Sequence, residues 1–145
     1  ITMAQLTADT VRKFGNKQSP TNTLPVKAAT TIFQHSAVGI LIADGFCRQL
    51  TGDDTVERFG GFAHRKTDNA AGADGDKNTE LIEEGLVELA ITGVTGVVDV
   101  GKTVWASDGN TFSLTEGTND QNIGKIKKWI SGTTALVSFK ADTVA

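Results

Sequence analysis

The pattern of apolar and polar positions changes near residue 23. Before that point the larger apolar residues are few: Ile1, Met3, Leu6, Val11 and Phe14. The stretch closes on Gln18-Ser19-Pro20-Thr21-Asn22, which is a loop composition. This predicts an N-terminal arm over residues 1–22. A short helix over 7–14 fits it, capped by Thr7 or Asp9, with Val11 and Phe14 three apart on one face. So short a helix is marginal alone and must dock on a surface to be ordered.

From residue 23 onward the period is two. Val38, Ile40 and Ile42 alternate with Gly39, Leu41 and Ala43, then Asp44-Gly45 intervenes, and Phe46, Arg48 and Leu50 alternate with Cys47 and Gln49. Two alternating runs around Asp-Gly predict a β-hairpin. The signal returns at Asp108-Gly109, and a third hairpin is predicted to turn at Ser131-Gly132. In the last strand Ala135, Val137 and Phe139 share one face. Residues 64–79 are polar and aperiodic, which predicts a long loop. Residues 79–91 fit a helical stripe or a strand. Gly85 in the middle would cost a helix about 1 kcal/mol, so a strand is expected, with Gly85 as a bulge. There is no strand–helix alternation, no long repeat and no heptad. The reading is an all-β body of nine or ten short strands over 23–145, following the arm.

Composition agrees with strands and tight turns: 16 glycines, two prolines, and a single methionine in 145 residues. The formal net charge of −3 gives no field that would attract nucleic acid. The charge is uneven. Residues 1–30 carry Arg12, Lys13, Lys17 and Lys27 against Asp9, while the rest is acidic. Cys47 is the only cysteine, so an intrachain disulfide and a cysteine-based zinc site are both excluded. No apolar run is long enough for a transmembrane helix, and no signal peptide is expected.

Several strings could carry chemistry. Gly96-Val97-Val98-Asp99-Val100-Gly101-Lys102-Thr103 satisfies the phosphate-loop pattern, in which Lys102 would reach phosphate oxygens. That pattern needs a helix to begin at the lysine, yet Asp108-Gly109 follows shortly, and paired valines resist the required backbone angles. A turn leading into a strand is the expected structure, and nucleotide binding is the alternative function. Asp74, Asp76 and Asn78 resemble the opening of a calcium loop, but the glycine and the bidentate glutamate it needs are Thr79 and Gly85. His35 and His64 are the only histidines, and no nucleophile elbow accompanies them. Glu83 and Glu84 would face opposite sides of a strand and cannot work as a pair. Lys125, Lys127 and Lys128 beside Trp129 read as a solvated strand face rather than a base-stacking platform. No cofactor, metal or catalytic residue is expected. Trp105 and Trp129 read as core, with glycan binding as a further alternative.

The larger part of the chain resembles a known family. The carriers are Glu84-Gly85-Leu86-Val87-Glu88-Leu89-Ala90, Asp99-Val100-Gly101-Lys102-Thr103-Val104-Trp105-Ala106-Ser107-Asp108, Phe112-Ser113-Leu114, Ile123-Gly124-Lys125-Ile126 and the run from Trp129 to Val137. Leu24-Pro25-Val26 and Phe59-Gly60-Gly61-Phe62-Ala63 agree as well. In order and spacing these are similar to the capsid cement, or head-decoration, proteins of tailed bacteriophages, over roughly residues 22–140. The resemblance implies a compact β-barrel or β-tulip domain, a homotrimer, and a seat on the outer capsid surface of the virion against the major capsid protein. It implies no enzymatic activity, no nucleic-acid partner and no membrane. The arm would then supply contacts to the capsid or a neighbouring subunit through Leu6, Val11, Arg12, Lys13, Phe14 and Lys17.

Overall fold

The computed structural model describes residues 5–12, 14–18 and 21–141, with 14–18 and 21 through their backbone alone. Thirteen strands occur among these residues. They are β1 (Phe14–Gln18), β2 (Thr21–Pro25), β3 (Thr30–Ile32), β4 (Ala37–Leu41), β5 (Cys47–Gln49), β6 (Glu57–Ala63) and β7 (Thr67–Asn69), then β8 (Asn78–Ile82), β9 (Glu84–Ala90), β10 (Thr103–Asp108), β11 (Thr111–Ser113), β12 (Gln121–Ser131) and β13 (Thr134–Lys140). A single 3-10 turn, Val97–Asp99, precedes β10. The all-β expectation is met. The sheets stay open rather than closing into a barrel: a six-stranded sheet in the order β1-β9-β13-β12-β10-β11, a five-stranded sheet β2-β8-β6-β4-β5, and a ribbon β3-β7. The pairings between these strands are antiparallel, and two isolated bridges, Val26 to Cys47 and Thr92 to Ser113, are parallel.

The alternation of β13 places Ala135, Val137 and Phe139 inward, as its sequence predicts. They meet Val87, Leu89, Val104, Phe112, Ile123 and Ile126 of the same sheet, and Phe59, Phe62 and Ile82 of the five-stranded sheet. Phe62 packs across the two sheets, against Phe112 and Phe139. Its ring lies 4.8 Å from Phe139 and 5.8 Å from Phe59, edge-on to both. Phe59 and Phe62 are three apart, so a regular strand would aim them at opposite faces. An extra residue resolves this: Gly39 pairs with Phe59 and Val38 with Gly61, leaving Gly60 unmatched. A second, smaller core lies on the other face of the five-stranded sheet, where Val26, Ile32, Val38, Cys47, Ala63 and Leu81 are buried.

Three sequence expectations change here. Residues 79–91 are two strands, not one. The chain leaves the five-stranded sheet at Glu83 and enters the six-stranded sheet at Glu84. Gly85 keeps regular register with Phe139 and so is no bulge on that side, although its φ of 155° is one that few side chains adopt. The polar loop over 64–79 contains β7, which pairs with β3 through Thr30 and Asn69. Among its described residues the N-terminal arm has no helix over the predicted 7–14 range: residues 5–12 run without regular structure, β1 pairs with β9, and β2 with β8. Backbone bonds to the body replace the intrahelical ones.

Candidate interaction surface

Residues 5–12 form a strap across one end of the sandwich. Gln5 Nε2 donates to the Leu50 carbonyl at 2.9 Å, and Gln5 Oε1 accepts from the Gly109 amide at 3.1 Å. One residue thereby ties the five-stranded sheet's β5 end to the β10–β11 turn of the other sheet. Gln49 exchanges two hydrogen bonds of 3.2 Å with the backbone of Leu6, whose side chain is buried. Further along, the Thr10 amide donates to the Gln34 carbonyl and the Gln34 amide to Asp9 Oδ1. The Arg12 amide donates to His35 Nδ1 at 2.8 Å. The Arg12 guanidinium donates to the His35 carbonyl and to Asn110 Oδ1, and its carbon lies 5.6 Å from the centre of the Phe112 ring. Burial lowers its pKa to about 10.

Of the predicted contact residues, the strap therefore spends Leu6 and Arg12 on the body. Val11 is 81% exposed. Phe14 and Lys17 belong to β1 by their backbone, and Lys13 lies outside the described residues.

The phosphate-loop-like string is a turn leading into β10, with no helix at Lys102. Asp99 organises it. Its carboxylate accepts from the Thr95 amide at 2.7 Å and the Gly96 amide at 3.2 Å, and Lys102 Nζ lies 2.8 Å away. The lysine bond, then the amides, hold the carboxyl at a pKa of about 2. These amides and this lysine are the groups a phosphate would need, and the chain's own carboxylate takes them. Two backbone bonds dock the turn on β12: Gly101 to Ile126 at 2.8 Å, and Ile126 to Lys102 at 3.0 Å. With the charge turned inward, valines point out: Val97 is 70% exposed, Val98 76% and Val100 46%. That inverts the usual partition of a solvent-facing turn. The sequence alone does not signal it, because the outward turn of the valines depends on the inward bonds of Asp99 to Thr95, Gly96 and Lys102.

The outer face of the six-stranded sheet is mixed. The register sets Thr103 beside Lys125, Lys125 beside Ser138, Lys128 beside Leu136, and Leu136 beside Glu88. Trp105 shares this face with Thr103 and Ser107, because Val104, Ala106 and Asp108 take the buried positions. It is half-buried and not core, which corrects the sequence reading. Trp129 does pack against the core, and its indole N–H donates to the Gly132 carbonyl at 3.0 Å.

The calcium-like string is also absorbed locally. Asp74 accepts from the Ala28 amide at 2.8 Å and lies 3.4 Å from Lys27 Nζ. Lys27 is closer to Asp44, at 2.8 Å. Asp76 accepts from the Ala73 amide, and Asn78 opens β8. Among the described residues no cluster of three His, Cys, Asp or Glu is placed to hold a metal. Burial pushes the Cys47 thiol up to about 12.

A buried ionic group near the β5–β6 connection escaped the sequence reading. The Glu57 side chain is fully buried, accepting from the Thr51 amide at 2.8 Å and the Thr51 hydroxyl at 2.6 Å, with Arg48 Nη2 at 3.2 Å. Gly39 makes room for it, since a Cβ there would sit 2.4 Å from Glu57 Oε2. The sequence marks only a glutamate at the start of an apolar strand; its approach to Gly39 is set by the register of β4 and β6, in which Gly39 pairs with Phe59 and Leu41 with Glu57. No protein-family model matches the chain, and no curated protein matches it.

Proposed function

We propose that the chain is a non-enzymatic structural protein that seats on the outer surface of a tailed-phage capsid and cements the lattice of major capsid protein subunits. The observation that carries the reading is the apolar turn at Val97, Val98 and Val100, together with the family resemblance over roughly residues 22–140. A binder that works by passive burial gains most from apolar side chains already held in place, because less freedom is lost on contact. Asp99 supplies that fixation. Val11 on the strap is a second exposed apolar contact, while Leu6 and Arg12 hold the strap in position.

Assembly as a homotrimer would present three such turns at once. Binding of the first raises the effective concentration of the others. A protein that binds only the assembled lattice stabilises it by mass action, by about 2.7 kcal/mol per site at a hundredfold excess over Kd.

The test replaces Val97 and Val98 by Asp and measures retention on purified shells by sedimentation. The proposal expects retention to be lost while the isolated variant keeps its stability to within about 0.5 kcal/mol, as for other exposed sites. Retention equal to that of the unaltered chain would remove the valine turn from the interface. Deleting the first 17 residues is not a clean alternative, because it also removes the strap and β1.

A further inference from the structure

We propose that His35 is a pH-operated latch for the strap: its imidazole holds residues 5–12 across the end of the sandwich when neutral and releases them when protonated. The inference does not depend on the capsid reading.

The geometry fixes the protonation state. The Arg12 backbone N–H points to His35 Nδ1 at 2.8 Å, so that nitrogen must present a lone pair. A proton there sets donor against donor and places a second cation beside the Arg12 guanidinium, which already donates to the His35 carbonyl. His35 cannot easily turn away, because it is only 9% exposed and its backbone is in the left-handed region at φ 63°. The bond at stake joins Arg12 of the strap to the body. Beyond it, Arg12 also carries the link to Asn110 in the β10–β11 turn. Losing the Arg12 anchor therefore loosens the tie between the two sheets at this end.

The surrounding charges agree in direction. Burial contributes most to lowering the His35 pKa from 6.5, and then Arg12 and His64 lower it further. Asp9 on the strap and the Thr10 backbone oppose them with smaller effects. The sign follows. A released His35 titrates near 6.5, and a latched one titrates lower. Docking is at full strength above about 6.5 and weakens as pH falls through that value. The weakening stops growing below the latched pKa.

The experiment is amide hydrogen exchange on the full chain, read residue by residue by NMR between pH 7.5 and 5.0 and corrected for intrinsic rates. The opening equilibrium at the Leu6, Thr10 and Arg12 amides should rise as pH falls, by up to about tenfold per pH unit inside the window. In His35→Asn an amide oxygen replaces the lone pair, cannot be protonated, and tolerates the left-handed backbone. That variant should show no rise. His64→Gln should retain it. No rise in the unaltered chain, or an equal rise in His35→Asn, overturns the proposal. Should His35→Asn fail to fold, the imidazole shift of His35 in the unaltered chain is titrated alongside strap opening. Opening that rises between about pH 6.5 and the imidazole midpoint and levels off below it supports the latch, and opening that rises over any other range refutes it.

Discussion

Replacing Gly61 by alanine tests the bulge that aims Phe59 and Phe62 into one core. Gly61 has φ of 106°, and a Cβ there would lie 2.2 Å from the Ile82 carbonyl oxygen and 3.0 Å from its carbon. Side chains do not approach a backbone carbonyl so closely, so β6 and β8 must separate where Phe62 pairs with Ile82. The positive φ alone costs about 1–2 kcal/mol. A lost ladder bond adds about 1 kcal/mol, and displacing Phe62 from its edge-on partners adds about 0.5–1.5 kcal/mol. Together they predict a loss of about 2.5–4.5 kcal/mol, a large share of the roughly 5–15 kcal/mol of a typical domain. Gly45 is the control. Its φ is 79° in the β4–β5 turn, and nothing lies within 4 Å of an added Cβ. Gly45→Ala should therefore cost only the backbone contribution, about 1–2 kcal/mol. Urea unfolding of both variants, with unchanged m-values, gives the comparison. Equal losses at the two positions would refute the close approach of β6 to β8, and with it the account of the bulge.

Three further outcomes are expected. Arg48→Ala leaves the buried Glu57 carboxylate with Thr51 as its remaining partner among those described, and should cost about 1–3 kcal/mol in urea unfolding; adding Glu57→Gln should recover part of that loss. The Cys47 thiol, pushed up to about 12 by burial, should react with a disulfide reagent at pH 8 only as fast as the domain opens, so that urea accelerates labelling in step with unfolding. The Asp99 carboxyl has a pKa of about 2 against an ordinary 3.8, so its hold on the Thr95 and Gly96 amides should be complete above about pH 4 and fade as pH falls toward 2, read as exchange of those two amides.

Much of the body was legible because it is written in short-range signals. Hairpins join β4 to β5 and β10 to β11 near the Asp44-Gly45 and Asp108-Gly109 signals, but the first connection spans residues 42–46, and the second and third turn one residue later than predicted, at Gly109-Asn110 and Gly132-Thr133. What was missed depends on partners distant in sequence. Thr67, Asp68 and Asn69 have no apolar alternation, and they become a strand only because β3 offers its edge. The arm has too few apolar residues to announce strands. Its order comes from Gln49, Gln34 and His35, and from the edges of β9 and β8. The break at Glu83 was hidden because both halves of the segment read as apolar strand, and only the second sheet reveals the crossing. Trp105 was misplaced by residue type, although its neighbours Thr103 and Ser107 on the same face pointed outward. Within the candidate surface, the valines of the 96–103 string were visible, but the inward turn of Asp99 that exposes them was not.

Difference imaging decides whether the molecule acts, as proposed, by burying passive surface on a capsid. Tailed-phage shells would be imaged with the purified protein added and without it. The account predicts extra density on the outer shell, grouped in threes, with the 97–100 turn facing the major capsid protein. Identical shells in the two maps would contradict it.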